Sequence, residues 1–143
     1  MKDQKLYDFI KSEKYAVVSS ANRAGQPESA LVAFSENKKL EIIFATNKDS
    51  RKVKNILLNP NVSVVIGLGG EHLTTLQIEG TARLVNLEDA GEYSKNHYQK
   101  HPILSQHKDD PGACFVAITP VWVRYTNYST VPVEIFEDHL DDY

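Results

Sequence analysis

Apolar residues recur along the chain in two rhythms, one helical and one alternating. Leu6, Phe9 and Ile10 stand at helical spacing in a polar stretch, which predicts a short amphipathic helix over residues 3–13. From Tyr15 the rhythm changes. Tyr15 to Ser20, Ser29 to Phe34 and Leu40 to Thr46 read as strands, separated by Asn22-Arg23-Ala24-Gly25-Gln26-Pro27 and Glu36-Asn37-Lys38-Lys39, both turn-forming. Ser50 then caps a predicted helix over 51–58, with Val53, Ile56 and Leu57 on one face and Asn59-Pro60 stopping it. Val62 to Leu68 is nearly continuous apolar sequence, closed by Gly67, Gly69 and Gly70. Leu73 to Val85 is long and β-rich, with Gly80 as a bulge or close-approach point. Leu87 to Tyr98 reads as a helix with Asn86 as its cap, and His101 to Gly112 as a loop. Cys114 to Tyr128 is a last long strand interrupted at Pro120, and Val131 to Phe136 a short additional one. About six strands, two or three flanking helices and no βαβ alternation define a mainly β, α+β domain with an antiparallel sheet closed into a small barrel.

The 143 residues suffice for one domain with a real core. The boundary is placed at residue 136. Residues 137–143 form an acidic tail, continuing a stretch in which Glu134, Glu137, Asp138, Asp141 and Asp142 meet no Lys or Arg. The net charge of −3 excludes a general polyanion binder, and no stacking motif accompanies Lys48, Arg51, Lys52 and Lys54, so nucleic acid is not an expected partner. The single Cys114, between β-rich neighbours, is expected to fill core space. Met1-Lys2-Asp3-Gln4-Lys5 leads into no apolar segment, and no stretch approaches the ~20 apolar residues of a membrane span. A cytoplasmic protein without a membrane association is expected. His97 and His101 are spaced for chelation, with His107 nearby, but no further metal motif accompanies them. They are expected to be exposed, with no metal site. Trp122, Tyr125 and Tyr128 are expected to pack in the barrel or an interface.

The most informative segment is Phe44-Ala45-Thr46-Asn47-Lys48-Asp49-Ser50-Arg51-Lys52. A strand ends, a short loop follows, and a helix begins with a hydroxyl and two cations in its first turn. Cations there oppose the helix dipole and are explained if an anion such as a phosphate binds at that end. A solvated basic helix start beside Asp49 is the other reading of the same residues.

The order Thr46…Ser50-Arg51-Lys52…Asn55-Ile56…Asn59-Pro60-Asn61-Val62, followed by Gln77-Ile78-Glu79-Gly80-Thr81-Ala82-Arg83-Leu84, resembles the pyridoxamine 5′-phosphate oxidase-like family over roughly residues 5–130. The short chain with its acidic end is similar to the small general-stress-type members. The resemblance implies an FMN-binding split β-barrel and a homodimer with the cofactor site at the subunit interface. It implies that Thr46, with Ala45, contacts the flavin or its ribityl chain. Ser50, Arg51 and Lys52 would hold the phosphate. Ala30, Leu31 and Val32 would pass alongside the ring, and Thr75 would lie against it. Two basic positions of the oxidases are Ala30 and Ser35 here, and the C-terminal segment that binds pyridoxamine phosphate is absent. True oxidase activity on that substrate is therefore not expected. The implied activity is that of a small flavoprotein oxidoreductase with unassigned catalytic residues, donor and acceptor. The alternative is a non-catalytic carrier or stress sensor for flavin, deazaflavin F420 or haem.

Overall fold

The computed structural model describes residues 2–69, 73–86 and 88–140. Gly70, the expected helix start at Leu87 and the last three tail residues lie outside them. In chain order the elements are α1 (Lys2–Ser12), β1 (Tyr15–Ala21), β2 (Pro27–Glu36), β3 (Ile42–Asn47), α2 (Arg51–Leu58), β4 (Asn61–Gly67) and β5 (Thr74–Leu84). They continue with α3 (Ala90–Lys100), a 3-10 helix (Pro102–His107), β6 (Ala113–Asn127) and β7 (Glu134–His139).

Strand neighbours run β3-β2-β1-β4-β5-β6-β7, all antiparallel, and a β3–β6 pairing closes the first six into a barrel. The fold class is the one expected, with β7 as an added strand on β6. Alternation places Ala16 and Val18 of β1, Val64 and Ile66 of β4, and Leu76 and Ile78 of β5 in one core, which α1 joins through Leu6, Phe9 and Ile10. Burying each large apolar side chain contributes roughly 1.5–3 kcal/mol, so the three helical residues explain why a short helix of polar composition forms at all.

Pro120 does not interrupt β6. It pairs with Gly80 where the β5–β6 register shifts between Glu79 and Gly80. A proline, lacking an N–H, is accommodated at such a bulge. Gly80 is a close-approach point as well, since a Cβ there would lie 2.7 Å from the Thr119 carbonyl oxygen. The expected loop from His101 to Gly112 instead begins with the 3-10 helix, started by Pro102 and closed by the Ser105 hydroxyl donating to the Pro102 carbonyl. In α3 the cap position falls to Asp89, whose side chain makes no capping bond; the Asn86 carbonyl accepts the Asp89 N–H in the preceding turn. β7 lies three residues later than expected. The boundary at residue 136 falls inside it, residues 137–139 pair with β6, and Leu140 is buried in the core. The half-buried positions of β7 are Glu134, Phe136 and Asp138 and its exposed ones Ile135, Glu137 and His139, so no apolar–polar alternation marks the strand in this acidic stretch.

Candidate functional site

The barrel is open on one side because two adjacent strands separate. β2 and β3 pair only at Phe34–Phe44, Ser35–Ile43 and Glu36–Ile42. Beyond Phe34, β2 continues with β1 as far as Pro27, while β3 continues with β6 as far as Asn47. Leu31, Val32 and Ala33 thus form one lip of a split, and Ala45, Thr46 and Asn47 the other. A cavity of about 420 Å³ lies over it, within the roughly 300–1,000 Å³ range of small-molecule sites. Ala33, Ala45 and Ala113 give the lining low relief, with methyl groups where larger side chains would stand proud. Along the lip, β2 offers backbone polar groups that no strand partner among the described residues takes.

At the open end of the split stands the start of α2. Ser50 caps the helix, its hydroxyl accepting from the Val53 N–H at 3.4 Å, and the Thr46 hydroxyl donates to Ser50 Oγ at 3.3 Å. Lys52 lines the cavity. The first turn of α2 holds no acidic residue, so Arg51 and Lys52 oppose the helix dipole. Part of that charge is answered from β2. The Arg51 guanidinium donates to the Glu28 carboxylate at 3.0 Å, and the same carboxylate accepts from Asn55 Nδ2 at 2.8 Å. Asn55 Nδ2 also donates to the buried Ser20 hydroxyl. Glu28 therefore ties α2 to the sheet and draws Arg51 out along the surface, where its side chain is 74% exposed.

The other wall comes from α3 and the 3-10 helix. His97 and Tyr98 of α3, then Leu104 and His107, face the lips of the split. The expectation of exposed histidines holds for His107 but fails for the other two: His97 is 1% exposed and His101 is buried too. The His97 ring packs edge-on against Phe115 of β6, and its Nδ1 is 2.9 Å from Ser35 Oγ. Burial and the nearby His101 and Lys100 push its pKa down to about 4, so it is neutral. His101 Nε2 donates to the Phe34 carbonyl at 2.7 Å. The Lys100 ammonium is bonded to Glu36 and lies over the Phe34 ring. These contacts lock α3 to β2. At the rim, His107 Nδ1 meets Asp110 Oδ2 at 3.1 Å. Burial and Asp109 and Asp110 hold the Tyr98 hydroxyl up, so it stays protonated. Among the described residues no group of three or more His, Cys, Asp or Glu is placed to hold a metal ion.

Of the residues singled out from sequence, Leu31, Val32, Ala45, Thr46 and Lys52 line the cavity. Ser50 stands beside it through Thr46. Ala30 is half-buried on β2 opposite Val18 and does not line it. Arg51 points to Glu28 instead. Thr75 lies on β5 opposite Gly67 and Thr126, away from the cavity. His97, Tyr98 and the 3-10 helix were not anticipated. Their only signal was a pair of histidines one turn apart beside a tyrosine, which a loop reading of the following residues hid. Cys114 is half-buried, paired with Thr46 across β3–β6, and burial raises its thiol pKa. Leu31 belongs also to a second depression with Tyr15, Val17, Val65 and Gly67, on the outer face of β2-β1-β4. Tyr15, Val17, Leu31 and Val65 are all exposed there.

The family model described as pyridoxamine 5′-phosphate oxidase matches residues 3–127, and the chain belongs to that family. A pyridoxine/pyridoxamine 5′-phosphate oxidase of Colwellia psychrerythraea is 34% identical over 80 residues, 53% of this chain and 35% of that protein. The match spans only about a third of that relative's length. Among solved structures, General Stress Protein 26 of Bacillus anthracis superposes with a TM-score of 0.76 at 22% identity, covering 97% of this chain and 98% of the other. A heme binding protein of Mycobacterium smegmatis gives 0.81 at 11% identity, covering 97% and 58%. A pyridoxamine 5′-phosphate oxidase-related, FMN binding protein of Nostoc punctiforme gives 0.71 at 14%, covering 97% and 88%. At such identities the structural likeness is one of fold. No helix among the described residues is long and apolar enough to cross a membrane.

Proposed function

We propose that the protein is a small FMN-binding flavoprotein that passes hydride or electrons from a reduced donor to an acceptor. The observation that carries this reading is the split cavity itself. It has a cation and a capping hydroxyl at one end, alanines along its length and an unpaired strand edge beside it. A phosphate suits the first feature, a flat ring system the second and a ring edge with donors and acceptors the third. The family membership and the FMN-binding relative of the same fold support it. Lys52, Ser50 and Thr46 would hold the phosphate and its chain, and Leu31 to Ala33 would follow the ring. FMN would supply the redox chemistry, while the protein supplies binding and orientation. Pyridoxamine phosphate oxidation itself is not part of the proposal, since Ala30 and Ser35 carry no charge.

The same reading makes the protein a homodimer. Leu31 joins the cavity to the apolar face of Tyr15, Val17 and Val65, and a second copy set on that face would roof the open side. Thr75, opposite Gly67 at the edge of that face, would then reach the cavity of the other subunit. The test is to incubate the purified protein with FMN, riboflavin or haem and remove free ligand by gel filtration. Co-eluting flavin absorption with FMN, in a dimer by light scattering, is expected. A Soret band with haem and no retained FMN would overturn the assignment in favour of haem carriage.

A further inference from the structure

The cavity has a buried polar group at the end remote from α2. Ser35 pairs with Ile43 at the apex of the split, three residues along β3 from Thr46, or ~10 Å at the strand rise. His97 stands over that apex. It is almost wholly buried yet lines the cavity, and only its Nδ1 has a hydrogen-bond partner, Ser35 Oγ. Nε2 has none among the described residues.

The partner fixes the tautomer. The Ser35 hydroxyl is buried, and among the described residues it has no other acceptor than His97 Nδ1. If Nδ1 carried the proton, the serine O–H would be a buried donor with nothing to donate to, which costs more than a hydrogen bond contributes. The Ser35 hydroxyl and Nδ1 are both satisfied when Ser35 donates to Nδ1 and the proton sits on Nε2. His97, a lining residue of the cavity, then carries an Nε2–H donor without a partner among the described residues. Neighbouring charge does not alter this, because Lys100 is bonded to Glu36, and His101 donates through its own Nε2 to the Phe34 carbonyl.

We propose that His97 is a ligand-contacting residue whose Nε2–H donates to an acceptor on the far edge of the bound ring system, with Ser35 as the residue that presents the proton. This rests on the flavin reading. With the phosphate near Lys52, the ring would extend toward the apex, and only its carbonyl-bearing edge offers acceptors to a donor there. Reduction places negative charge on that edge, so a donor there favours the reduced form.

The test uses two substitutions that separate the two ring nitrogens. His97→Asn keeps an acceptor near the Nδ1 position for Ser35 and loses the reach to the cavity. His97→Gln places an N–H near the Nε2 position. FMN affinity is measured by fluorescence quenching, with thermal melting of each variant and the midpoint potential of bound FMN. The expected result is a three- to tenfold weaker Kd and a lower potential in the Asn variant, with the Gln variant within about twofold of the parent. Affinity that follows the Ser35 bond instead, kept in Asn and lost in Gln, would reduce His97 to a packing residue and overturn the proposal. If both variants fail to fold, Ser35→Ala frees the tautomer with the ring in place, and an unchanged Kd there overturns it equally. A parent protein that binds no FMN defeats the flavin reading itself, whereas tight parent binding with unchanged variants defeats only the role of His97.

Discussion

Acidification should destabilise this protein through one buried imidazole. His97 is neutral in the fold, with its pKa lowered from 6.5 to about 4 by burial and by His101 and Lys100. Its other neighbours are Ser35 of β2 and Phe115 of β6, which carry no charge, and Tyr98, which burial keeps protonated. The unfolded chain therefore binds a proton that the folded chain refuses, and stability falls as pH drops below 6.5. The loss is complete only below pH 4. Linkage between those two values gives about 2–3 kcal/mol lost by pH 4.5 relative to pH 7.5. For a chain of this size that is a fall of about 5–10 °C in Tm. Carboxylates protonate in the same range, so the parent must be compared with a variant. His97→Gln removes the titrating group, and its urea-melting stability from pH 7.5 to 4.5 should fall less steeply by that amount, whatever its offset at neutral pH. Parallel pH profiles for the two proteins would refute the neutral, buried imidazole.

Three other expectations follow from the geometry. Gly80→Ala drives a methyl group against the Thr119 carbonyl and Ile118 and should cost about 1–3 kcal/mol in urea titration. Lys52→Ala should weaken FMN about tenfold and riboflavin little, by fluorescence titration, while Arg51→Ala should weaken FMN less, because Arg51 is held by Glu28. Equal losses for FMN and riboflavin would displace the phosphate from α2. Leu31→Asp places a charge on the exposed apolar face and should yield a monomer by light scattering.

How far the chain could be read in advance depended on whether a feature was local. The strands of the meander, the Ser50 cap and the glycine at the bulge depend on neighbouring residues, and they form where expected. The second half of β7 reads as an acidic tail in the sequence, because Glu137, Asp138 and His139 follow Phe136 with no apolar residue before the buried Leu140. Pro120 reads as a break, because the register shift that tolerates it, with Val121 as the extra residue of β6, exists only once β5 is paired to β6. The basic start of α2 was legible as a motif, but the different placing of Arg51, bonded to Glu28, and Lys52, lining the cavity, was not. It is set by Glu28, twenty-three residues away in the chain. His97 was unreadable for the same reason. Its burial depends on Ser35 and Phe115, which reach it only after the barrel closes.

A crystal structure of the protein grown with FMN tests the central claim most directly. The account predicts one flavin per subunit in the split between β2 and β3. Its phosphate should lie within hydrogen-bonding distance of Lys52 and the α2 start, its ring over Ala33 and Ala45, and a second subunit should cover Leu31. An FMN bound elsewhere, or lying in the split with its phosphate pointed toward His97, would contradict it.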